Sequence, residues 1–131
     1  MRVVFDTNVF ISAFATEGVC SVLLKRARLK EFELFVCSVV INEVESVLKQ
    51  KFKVEEEIIR EVVELIKESS EPVSIVEKVE GVCRDGDDDL ILSCAVSACA
   101  DYLVSGDKDL LEVKKYENIK IVSPKDFEAM F

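Results

Sequence analysis

Along the chain, short continuous apolar runs alternate with longer segments in which apolar residues recur every three or four positions. "RVVF" is continuous and β-branched, the pattern of a short buried strand. "NVFISAFA" and "GVCSVLLKRARLK" carry helical spacing, and the second ends in basic residues. "EFELFVC" predicts a second strand. Ser38 predicts an N-cap for a helix over "VVINEVESVLKQKF", with Val40, Val44, Val47 and Leu48 on one stripe. "VEEEIIREVVELIKESS" predicts an amphipathic helix, with Val54, Ile58, Val62, Leu65 and Ile66 facing one way and a solvated acidic face. Pro72 opens "PVSIVE", a third strand-like segment. "LILSCAVSACA" reads as a buried helix whose small side chains let it lie close against a sheet. "DYLVS" predicts a strand, "DKDLLEV" a short helix and "NIKIV" a final strand. Ser123 then caps "PKDFEAMF", with Pro124 at the first helical position.

Strands alternating with helices predict an α/β fold, a three-layer sandwich whose central, mostly parallel sheet is flanked by helices. No internal repeat and no composition break divides the chain, so residues 1–131 are expected to form one domain, large enough to build a core without disulfides or metals.

Composition removes several kinds of chemistry. The protein has no histidine, which excludes Ser-His-Asp and Cys-His catalysis. Its five cysteines include no C-x-x-C pair, so a zinc site is not expected. Cys94 and Cys99 fall in the apolar helix, where free cysteine acts as a small core residue, and the odd count fits a reducing compartment. No segment reaches the ~18 apolar residues of a membrane span, and "MRVVFDTNVFISAFA" lacks the pattern of a signal peptide. A cytoplasmic location without membrane contact is expected. The net charge of −9 argues against broad adhesion to nucleic acid but leaves room for local basic patches. Two exist, Lys25 to Lys30 and Lys49 to Lys53. Lys25, Arg26 and Arg28 either track phosphates or complement a helix C-terminus.

The remaining candidates are carboxylates. In a parallel sheet every strand ends at the same edge, and ligands bind there near the point where strand order reverses. Asp6 follows "RVVF" directly, and Asp107 follows "DYLV" across Ser105 and Gly106. Asp88 opens the helix that leads into "DYLV". If those strands are neighbours, the three acids share a crevice. A fourth could come from Glu43 or Glu45, which flank the same apolar stripe at similar angles; helical geometry does not choose between them. Each acid also has an ordinary explanation, since Asp87 or Asp88 serves well as an N-cap. Together, several acids at one edge repel unless a cation sits among them, and oxygen-only ligation selects hard ions such as Mg²⁺ or Mn²⁺. An EF-hand is excluded. Asp85, Asp87 and Asp89 fit its first ligand positions, but Leu90 stands where glycine is needed and Val96 where the bidentate glutamate belongs.

The sequence resembles the PIN-domain family of metal-dependent ribonucleases, which includes the VapC-like toxins of many prokaryotic toxin–antitoxin pairs. "VVFDTNVFISA" is similar to the family's opening strand and Asp-Thr-Asn, "NEVESVL" to its second-helix motif, and "RDGDDDLILSCAVSACADYLVSGDKDLL" to its third and fourth acidic motifs. The match in "NEVESVL" selects Glu43 over Glu45. The resemblance implies a PIN-like nuclease domain with catalytic, metal-binding acids at Asp6, Glu43, Asp88 and Asp107. Asp109 joins them as a further metal candidate, with Asp85 auxiliary and Thr7, Asn8 and Ser105 supporting through hydrogen bonds. It also implies frequent homodimers and a possible cognate antitoxin. Two departures stand out: relatives carry Asp-Pro where this chain has Asp85-Gly86, and Asn where it has Asp89. Gly86 should loosen the loop, and Asp89 should either assist a second metal or face solvent.

The expected function is therefore a Mg²⁺- or Mn²⁺-dependent endoribonuclease acting on single-stranded RNA. The alternative is a non-catalytic PIN-fold module that binds a basic partner peptide. A DNA flap-type nuclease would need a longer chain with substrate-threading elements.

Overall fold

A computed structural model describes Met1–Phe131. Its strands are β1 (Arg2–Phe5), β2 (Glu33–Val36), β3 (Glu71–Pro72), β4 (Tyr102–Val104), β5 (Lys115–Tyr116) and β6 (Ile119–Val122). Its helices are α1 (Thr7–Ala15), α2 (Val19–Arg28), α3 (Ser38–Gln50), α4 (Glu56–Ser69), α5 (Gly86–Ser97), α6 (Lys108–Val113) and α7 (Pro124–Glu128). The sheet runs β3-β2-β1-β4-β6-β5, parallel except for β5, which pairs antiparallel with β6. This is the α/β architecture expected, a mostly parallel sheet packed against helices.

The chain moves outward from β1 through β2 to β3, then returns to place β4 on β1's other side. Strand order therefore reverses between β1 and β4, where a crevice opens at the C-terminal edge. Central β1 is covered on both faces, and Val3, Val4 and Phe5 are almost fully buried. On one side α1 packs on α2 and α3, α3 on α4, and α2 on α7; α5 packs on β1 and β4. No single helix is long and apolar enough to cross a membrane. Only α1 and α2 together would pass, across a 102° bend, and both bury core residues such as Phe10 and Leu23.

Several local expectations need correction. Cys37, not Ser38, is the N-cap of α3, and Ser38 is its first helical residue. On α4 the buried stripe is Ile59, Val62 and Ile66, whereas Ile58 is 48% exposed. The third strand is only Glu71–Pro72, and the chain then leaves the sheet. It leaves because α5 captures it. The Val76 and Val79 amides donate to the Ser97 and Ser93 hydroxyls at 3.0 and 2.8 Å, and the Gly81 and Cys83 amides donate to the Asp89 carboxylate at 3.0 and 2.8 Å. Asp89, Ser93 and Ser97 are spaced four apart, so they line one face of α5 and fasten residues 76–83 along it as a strap. Strand β5 escaped the periodicity because it is two residues long, formed by a reversal with positive φ at Lys114 and Glu117. Cys99 is exposed just past the end of α5, also at positive φ, and Cys94 is fully buried.

Candidate active site

Asp6 leaves β1 still attached to its neighbour, because its amide donates to Val104 O at 2.9 Å. It caps α1, with Oδ1 accepting from the Thr7 amide at 2.7 Å. Oδ2 accepts from the Ser105 hydroxyl, also at 2.7 Å. Ser105 is fully buried, and its oxygen accepts in turn from the Asp107 amide at 3.0 Å. One hydroxyl therefore links the acid after β1 to the acid after β4. Asp107 caps α6, with Oδ1 receiving the Asp109 and Leu110 amides at 2.8 and 3.4 Å. That cap turns Asp109 toward the crevice.

Asp88, Asp107 and Asp109 converge, with one carboxylate oxygen from each within 4.8 Å of the others. Asp6 stands beside this trio, and Glu43 faces Asp6. Burial pushes Asp88 up to about 6, reinforced by Asp107, Asp6, Asp85 and Asp109. Burial also raises Asp6, against hydrogen bonds from Ser105 and Thr7 that favour its charge, and Asp107 adds to the rise. Shielding raises Glu43, opposed by Thr7 and reinforced by Asp6, Asp87 and Asp85. These neighbours show which way Glu43 faces. Glu45 instead lines the surface between α3 and α4 with Lys49 and Glu56.

The other predicted residues divide. The buried Thr7 hydroxyl lies near enough to Glu43 to favour its charge but completes no full hydrogen bond. Asn8 is exposed at the start of α1. Asp85, rather than Asp87 or Asp88, is the N-cap of α5, accepting from the Asp87 amide at 3.0 Å. Asp89 neither faces solvent nor joins the trio. It is buried, and the Cys83 and Gly81 amides hold its carboxyl below the usual range. Asp87, which faces Glu43, was not singled out in the sequence for the crevice; its place in the first turn beside Asp88 was the available signal.

The basic cluster lies elsewhere. The C-terminal end of α2 leads into the start of β2, at the sheet edge opposite the acids. Arg26 binds both Glu128 oxygens at 2.8 and 2.9 Å and Glu31 at 2.7 Å, with its guanidinium 4.7 Å from the centre of the Phe131 ring. Lys25 and Arg28 remain exposed on the same end.

The carboxylate donors fit a hard divalent cation. They offer oxygen only, and no basic side chain pairs with them.

Residues 2–109 match the family model described as PIN domain. A sequence comparison with curated proteins gives no match. Among solved structures, the fold is similar to a chain in the crystal structure of VapBC2 from Rickettsia felis bound to a DNA fragment from their promoter. The TM-score is 0.69 at 16% identity, covering 94% of this chain and 98% of that one.

Proposed function

Because the chain belongs to the PIN-domain family, whose members are typically nucleases, we propose that it is a Mg²⁺- or Mn²⁺-dependent endoribonuclease for single-stranded RNA. The observation that carries this reading is the convergence of Asp88, Asp107 and Asp109 beside an Asp6 that Ser105 ties to Asp107, at the point where strand order reverses.

Asp88, Asp107 and Asp109 would hold a divalent ion, and Asp6 and Glu43 would share it or hold a second. A bound ion supplies Lewis-acid stabilisation of charge on the phosphoryl oxygens and a source of nucleophilic water at neutral pH. The protein's own part is preorganisation. Ser105 fixes the Asp6 carboxylate and the Asp107 backbone with one hydroxyl, and the α6 cap leaves Asp107 its Oδ2 for a ligand. Burial and its acidic neighbours push Asp88 up to about 6, so a bound cation would displace its proton and metal affinity would rise with pH through that range.

The test is cleavage of a labelled single-stranded RNA by purified protein with Mn²⁺, with Asp88→Asn as the contamination control. No cleavage by wild type that retains a folded CD spectrum would sink the proposal.

A second reading rests on a separate observation. Ile11, Phe14, Leu48, Phe52, Ile58 and Val62 line an apolar groove, and Phe52 and Ile58 are each about half exposed. Together with the likeness to a chain of the VapBC2 complex, this supports a protein partner, an antitoxin segment or a second copy in a homodimer. The groove is compatible with a nuclease, which makes the toxin of a toxin–antitoxin pair the fuller reading. A purely non-catalytic module would bind its partner but show no heat of Mn²⁺ binding by calorimetry.

A further inference from the structure

The acid crevice poses a problem for its proposed substrate. Asp6, Glu43, Asp85, Asp87, Asp88, Asp107 and Asp109 gather where a phosphodiester must enter, and bound divalent ions screen only the phosphate they touch. Phosphates on either side of the reacting one need cations of their own.

Two basic residues stand among these acids in sequence. Arg84 immediately precedes Asp85, and Lys108 lies between Asp107 and Asp109. Both are exposed, and neither takes part in any of the ion pairs or side-chain hydrogen bonds of the fold. Residues adjacent in a helix do not face each other, which explains why Lys108 leaves its two neighbours unpaired. Their backbones, in contrast, are held. The amide of Cys83, one residue before Arg84, is bound to Asp89, and Asp85, one residue after it, caps α5. Lys108 sits inside the α6 cap, between the residue that caps and the residue whose amide is capped. Each cation is therefore a free side chain on a fixed base, one on the loop entering α5 and the other at the start of α6.

Building on the ribonuclease reading, we infer that Arg84 and Lys108 bind the RNA phosphates that flank the reacting one, one cation on each lip of the crevice. The chemistry recognised is the phosphodiester anion, independent of base.

Salt dependence separates this role from that of ordinary solvated surface charge. Each phosphate contact on a single strand contributes about −0.7 to the slope of log K against log salt. Arg84→Gln and Lys108→Gln should each flatten that slope by about 0.7, and the double variant by about 1.4. Cleavage of a mixed-sequence 12-nucleotide RNA should weaken on the order of fivefold per variant in kcat/KM, mainly through KM. Arg84→Lys should keep the wild-type slope. Lys120→Gln, on the strand position paired with Tyr102 at the far end of the sheet, should change nothing. The same slopes are read in binding, by fluorescence anisotropy of the labelled RNA on Asp88→Asn protein with Mg²⁺. If wild type cleaves no RNA but the binding slopes flatten as stated, the phosphate contacts stand and the nuclease reading falls. Cleavage or binding with unchanged slopes in both variants, or no RNA binding by any protein, overturns the inference.

Discussion

Asp88 and Asp89 are neighbours of the same type in opposite electrostatic situations. Asp88 is pushed up to about 6 by burial and then by the carboxylates around it, whereas Asp89 is held low by two backbone amides. A raised carboxylate destabilises the folded state above its unfolded value near ~4, and the penalty is complete above the folded value. A lowered one contributes stability that is lost only as pH falls through its folded value. In EDTA at pH 7, Asp88→Asn should therefore raise stability by about 1 kcal/mol, because water screens part of the repulsion. Asp89→Asn should lower it by about 1–3 kcal/mol, since Gly81 and Cys83 donate to different carboxylate oxygens and the NH2 replacing one of them cannot accept. Thermal melts of the two variants should move in opposite directions, and a common direction would contradict the assignment. Metal-free wild type should also melt higher at pH 5 than at pH 7.5, as Asp88, Asp6 and Glu43 take up protons. The run "GDDDL" shows that acids begin a helix but not which of them turns inward, because that depends on residues 76–83. Ser105 was legible only through family resemblance. Its bonds to Asp6 and Asp107 need strands that are distant in sequence to lie side by side.

At the scale of the element, α5 is the informative case. Its small residues were legible as a surface for close packing, and Cys94 and Ala95 are indeed fully buried. The spacing of Asp89, Ser93 and Ser97 carried a second message, because polar side chains four apart on a buried helix need partners. Their partners are amides within residues 76–83, a stretch that begins at the end of "PVSIVE", which reads as a strand. Ser93→Ala leaves the Val79 amide unsatisfied and should cost about 1–3 kcal/mol. Hydrogen exchange should then quicken across residues 76–83 more than in β1, and uniform quickening would deny the strap a separate identity. The order of helices and strands was legible except for β5, because the other elements carry a pattern long enough to read. The two-residue β5 is too short for that, and β3 was read as longer than it is.

For the whole molecule, strand–helix alternation predicted the sheet, and the right-handed crossover rule limited its topology. The apolar groove was not legible, because alternative helical faces of "EEIIREVV" differ by one residue and only packing selects Ile59 over Ile58. Saturating Mn²⁺ should raise the wild-type melting temperature by mass action and do much less for Asp107→Asn; equal shifts would place the ion elsewhere. The closure of the crevice also has a consequence for the order in which the chain is made. Asp6 and its partner Ser105 are 99 residues apart in the chain, and β1 finds its neighbour β4 only after everything between them has been made. At roughly 5–20 residues per second, a ribosome presents Asp6 several seconds before Ser105 is even synthesised. Until then the first acid has no hydroxyl to hold it and no trio beside it. A nascent chain is thus unable to assemble the crevice until β4 and Ser105 have been made.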